Sequence, residues 1–270
     1  MNIHLYVIGA LYLLIPISAL IILRIRHKYR IASVITGIAG FFLSMRVLMT
    51  VVNVIFTLLG VTRDFWSAHP VLNEAMNIVL NVVFQNIVLY FLMKLVLKSR
   101  LSLYDSMAMG ISFCLGNCFI EGYYSIYLIR ILKSHEAGIL DQLASDALPL
   151  EKLQETVDEA LSFGMGHYYL QLFAALTVVC LSTVLCMLLY HALKKPDQRF
   201  IYLACGIHAI CLVLIDLSML SSGNLLYFLA NLTALLIAGA IFVLYKKWYR
   251  QQQIELARKK REYRQSLKSS

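Results

Sequence analysis

Seven apolar runs, each long enough to cross a bilayer, constrain this chain more than anything else in it. They fall at roughly 3–23, 32–60, 74–97, 106–131, 164–193, 200–220 and 224–245. A spanning helix needs about 20 apolar residues, and in lipid its backbone groups must bond within the segment. The runs therefore predict an all-α fold, a polytopic membrane helix bundle of seven transmembrane helices. Composition agrees, since 60% of residues are hydrophobic and only 14% are charged, against about 25% charged in a soluble domain. Runs two and five leave length to spare for tilt or extension past the membrane.

The loops orient the bundle. Arg24, Arg26, Lys28 and Arg30 follow the first run. Lys94, Lys98 and Arg100 end the third, and Lys194, Lys195 and Arg199 follow the fifth. With nine more in the tail from Lys246 to Ser270, 19 of the 24 Lys and Arg residues fall on one side. The opposite segment, 133–163, holds seven Asp or Glu against two Lys. By the positive-inside rule the N-terminus lies out and the C-terminus in. The first run lacks a basic leader and a small-residue cleavage site, so it is expected to stay as a span rather than be removed as a signal peptide.

Residues 1–245 thus read as one transmembrane helix-bundle domain and 246–270 as a basic cytoplasmic tail. Most of the +9 net charge resides in that tail, which suits anionic lipid headgroups and gives no reason to expect nucleic acid. In the exterior loop, 150–163 predicts an amphipathic helix. Leu153, Val157, Ala160 and Leu161 share its apolar face, and Pro149 stands at its start. The six cysteines all lie inside runs, where cysteine packs as a small apolar residue; no disulfide is predicted.

Polar residues placed deep in these runs mark where function should lie. They are Arg46, Asn81, Gln85, Asn86, Asn117, Glu121, His208, Asp216 and Asn231. A charge or unpaired amide at bilayer depth costs several kcal/mol, so such groups face a protein interior or a wet cavity. Helical spacing arranges them in stripes: Arg46, Thr50 and Asn53; Asn77, Asn81 and Gln85; Gly110, Cys114, Asn117 and Glu121; Asn224, Tyr227 and Asn231. One use for these groups is helix–helix bonding, with Arg46 paired to Glu121 or Asp216. The other is a binding pocket formed by Arg46, Asn81, Gln85, Asn86, Asn117, Glu121, His208 and Asp216. His167 and His191 are 24 residues apart on one run, about 36 Å at helical rise, so they cannot share a metal.

Runs three to six resemble the YhfC-type intramembrane metalloproteases, a family related to the PrsW and CPBP (CAAX-protease and bacteriocin-processing) groups. The likeness is carried by Phe84-Gln85-Asn86-Ile87-Val88-Leu89-Tyr90, by the loop and helix start from Lys98 to Gly110, by Gly116-Asn117-Cys118-Phe119-Ile120-Glu121 and by His208. It is best over 84–121 and weaker over 201–216. It implies an all-helical bundle with a metal-dependent site inside the membrane.

In such proteins a Glu-Glu pair and an Arg stand where this chain has Gln85, Asn86 and Leu89, and a His stands where it has Asn117. Of that set, only Glu121 and His208 keep the residue types that hold a metal or move a proton. A catalytic zinc takes three protein ligands and an open position for water, and amides are poor zinc ligands and no base near neutral pH. The expectation is a degenerate site in a non-catalytic relative that binds a peptide, a lipid or another membrane protein at the bacterial plasma membrane, with no cofactor. Active hydrolysis would need zinc on Glu121, His208 and a third ligand, Asp216 being the nearest in sequence. A transporter or channel element is the remaining reading, and no repeat supports it.

Overall fold

The apolar runs fold as helices because no other arrangement satisfies their backbone in lipid. The computed structural model describes residues 2–269 apart from 62, 98–100, 146–147, 195–196 and 221–223. The expectations placed on Lys98, Ser99, Arg100 and Lys195 lie outside the described residues. Among the described residues seven helices are long and apolar enough to span: Ile3–His27, Ile31–Leu58, Pro70–Val96, Leu103–Glu136, Met165–Lys194, Arg199–Asp216 and Asn224–Gln252.

In chain order the elements are α1 (Asn2–His27), α2 (Ile31–Phe41), a π-helical segment (Phe42–Leu48), α3 (Met49–Leu58), α4 (Arg63–Ala68), α5 (Pro70–Leu92), a second π segment (Met93–Leu97), α6 (Leu103–Glu136), α7 (Leu150–Ser162), α8 (Met165–Lys194), α9 (Arg199–Leu220) and α10 (Asn224–Ser269). The second span is therefore three pieces, with its middle wound in π geometry. The last helix runs through the basic tail without a break.

Helices α6 and α8 form the centre. The first packs against α1, α2 and α8, and the second also against α9 and α10. Their approach needs small residues. A Cβ at Gly110 of α6 would stand 2.6 Å from the Ser182 carbonyl oxygen and the Thr183 Cα of α8. Gly37 of α2 lies as tightly on Ser112 and Met109 of α6. Van der Waals contact between backbones is what holds membrane helices together where lipid is as apolar as leucine. The outer faces bear Ile3, Ile25, Leu58, Leu225 and Leu236, exposed as lipid-facing residues should be.

A polar joint fixes the basic end. Ser102 and Asp105 form a capping box at the start of α6. Asp105, almost fully buried, also accepts from the Arg30 backbone N–H at 2.8 Å, the Ser33 hydroxyl at 2.9 Å and the Arg30 Nε at 3.3 Å. One carboxylate thereby ties the starts of α2 and α6 together.

At the acidic end, α7 starts at Leu150, with Pro149 just before it as its N-cap. Leu153, Val157 and Ala160 are buried, but Leu161 is 55% exposed. From Leu153 the positions i+4 and i+7 fall at 157 and 160, and 161 turns past the edge of the contact. The six cysteines are free.

Candidate functional site

A cavity of about 320 Å³ opens between α5, α6, α8, α9 and the first π segment. Each helix brings a polar group: Arg46, Asn81 and Gln85, Asn117, Ser182 and His208. Phe41, Phe113, Leu181 and Leu212 supply apolar wall. Five of the eight residues singled out from the sequence thus meet in one space.

The π segment accounts for Arg46. Winding by i→i+5 bonds shifts the residues that follow around the helix axis, and such turns are frequent at functional sites. All three are exposed, but Arg46 lines the cavity, whereas Thr50 and Asn53 line none of it. The stripe expected from regular 3.6-residue spacing is therefore broken after Arg46. Ser44, fully buried, donates its hydroxyl to the Gly40 carbonyl at 2.8 Å, satisfying an acceptor where the ladder changes.

Gln85 is buried and donates to the Ser182 hydroxyl at 3.1 Å. Sequence reading missed Ser182, because one serine in a 30-residue apolar helix carries no periodic signal. Asn86 stands behind the cavity wall. Its amide donates to the Val82 carbonyl at 2.8 Å and lies 3.1 Å from the His208 Nδ1.

The first of these bonds fixes which end of the amide is nitrogen, so the second is also a donation, and His208 accepts at Nδ1. The remaining proton of a neutral imidazole then sits on Nε2. A histidine ligating through Nε2 has the reverse arrangement, with Nδ1–H donating to a carboxylate or carbonyl and Nε2 bare.

Glu121 is half-buried one turn beyond Asn117 and is not a lining residue. The Arg46 guanidinium is within electrostatic reach of it, yet the two form no ion pair, and Arg46 has no hydrogen bond among the described residues. Asp216, two turns beyond His208 on α9, lies beside Glu74 of α5 and outside the cavity. Asn231 is fully buried elsewhere, donating to the Tyr227 carbonyl at 2.9 Å, in the contact between α8 and α10. His167 stacks on Phe163, and His191 packs among Phe200, Tyr245 and Trp248.

A bundle of seven helices long and apolar enough to span, with a polar cavity between them, defines a polytopic membrane protein. The family model of the YhfC intramembrane metalloproteases matches residues 11–237, and the chain belongs to that family. No curated protein matches it, and no solved structure does.

The family's chemistry implies a catalytic metal. The residues present do not fit one: the described residues contain no group of three His, Cys, Asp or Glu placed to hold one ion. The cavity offers three amides, a hydroxyl, a guanidinium and an imidazole whose Nδ1 is engaged by Asn86. The amides and the hydroxyl can donate or accept, and the described lining residues include a guanidinium and no carboxylate, a balance that favours an anionic oxygen over a cation.

Proposed function

We propose that this protein is a non-catalytic member of the YhfC family that holds the polar, anionic end of a membrane-embedded ligand in the cavity. The ligand would be a peptide, a lipid or a segment of another membrane protein, reached from within the bacterial plasma membrane. The bundle would lie with its N-terminus out and its C-terminus in. The observation that carries the reading is Arg46. A guanidinium at bilayer depth without an ion pair is costly, and this one stands on the cavity surface beside amide and hydroxyl donors. A carboxylate or phosphate oxygen bound there would satisfy it by charge-assisted hydrogen bonds. Amides in place of carboxylates at 85 and 86 keep the approximate shape of a family site while removing repulsion toward such a ligand.

A short apolar peptide with a free C-terminal carboxylate is a suitable probe, with its C-terminal amide as control. The full-length protein in nanodiscs is expected to bind the acid at least about tenfold more tightly than the amide, and Arg46→Gln to abolish that preference. Equal binding of acid and amide would refute the reading. So would a preference that survives Arg46→Gln.

A further inference from the structure

A second cavity, of about 340 Å³, lies at the basic end of the bundle, between the ends of α1, α6, α8 and α10. Its polarity changes with depth. At the rim stand Lys246 and Arg250, one turn apart on α10, and His27, the last residue of α1. Deeper in the bilayer come Met107, four residues into α6, Phe242, one turn before Lys246, and Met187 of α8. Four residues of helix are about 6 Å, roughly the step from headgroup level into acyl chains. Tyr104 and Tyr249 form the walls, and the His27 ring lies flat on Tyr104 at 3.9 Å.

The rim cations are left for a ligand of opposite sign. Lys246 and Arg250 have no ion pair among the described residues. Asp105, the carboxylate that begins α6, is already taken by Arg30, Ser33 and Ser102. Phenol hydroxyls and cations above an apolar floor, at the level where a bilayer places its headgroups, complement one kind of molecule.

We propose that this cavity is a binding site for one anionic phospholipid, its phosphate between Lys246 and Arg250 and an acyl chain along Met107, Met187 and Phe242. It is independent of the mid-membrane cavity. It also differs from the general attraction of a basic tail for an anionic surface, because the floor requires the chain as well as the charge. A free phosphate would meet only the rim.

The test uses full-length protein and phosphatidylglycerol, with phosphatidylcholine as the neutral comparison, followed by retention in native mass spectrometry. The expected result is a preference of about tenfold or more for phosphatidylglycerol. Lys246→Gln with Arg250→Gln should remove it, and Met187→Trp, which fills the floor, should weaken retention of the anionic lipid. Neutralising residues 258–261 by substitution with Gln should leave it unchanged. Hydrogen exchange on the unaltered protein adds a readout that needs no variant to fold: the anionic lipid should protect 242–250 more than the neutral one. The proposal is overturned by a preference that persists in the Lys246/Arg250 variant, by one lost on neutralising 258–261, by displacement of the lipid with inorganic phosphate, or by equal protection from both lipids.

Discussion

Gln85→Glu, Asn86→Asp and Asn117→His, introduced together, are expected to turn the cavity into a zinc site. The scaffold already places positions 85, 117 and 208 on one cavity. A carboxylate at 86 would accept from the His208 Nδ1, reversing the present bond in which Asn86 donates to it. The His208 Nε2 would then carry the lone pair, the tautomer that a carboxylate on Nδ1–H imposes on zinc-binding histidines. With a carboxylate at 85 and an imidazole at 117, three ligands would converge and a fourth position would remain for water. The affinity gain for the triple variant should be at least about 100-fold over the unaltered protein, read by competition with a chromophoric chelator. The single substitutions should give little, since one or two ligands do not make a site. If the triple variant folds and still fails to bind, the cavity is not a degenerate metal centre.

The second large effect concerns packing. Gly110→Leu should destabilise the bundle by about 3 kcal/mol or more, or prevent its assembly. The atoms a side chain would meet are the Ser182 carbonyl and the Thr183 Cα, and backbone cannot rotate aside as a side chain can. Separating α6 from α8 would also pull Ser182 from Gln85 and disturb the cavity. Gly206→Leu is the control. It lies in α9 with nothing within 4 Å of the added carbon, and should change stability by no more than about 0.5 kcal/mol. Thermal unfolding of the two variants in one detergent compares them. Equal stability would contradict the close approach of α6 and α8.

Much of this arrangement is legible in the residues. The seven spans are, because an apolar run of that length in lipid has one fold open to it. The shared face of Asn81 and Gln85 is too, since a regular helix puts i and i+4 on one side. The π segment is not, because Phe42–Leu48 differs little in composition from the helix on either side, so the fate of Thr50 and Asn53 could not be read from spacing. Ser182 and the fit of Gly110 depend on which helices meet, a tertiary fact. Glu121 and Asp216 show a different limit: a stripe gives the face a residue occupies but not where along it a cavity ends. Nor does residue type alone reveal that His208 accepts from Asn86.

The central claim is that the cavity binds an anionic group and does not hold a hydrolytic zinc. The metal content of the purified full-length protein, after equilibration with buffered zinc, tests it most directly. The account predicts well under about 0.1 zinc per chain, with His208→Ala making no difference. About one zinc per chain, lost in His208→Ala and accompanied by peptide cleavage that Glu121→Gln abolishes, would contradict it.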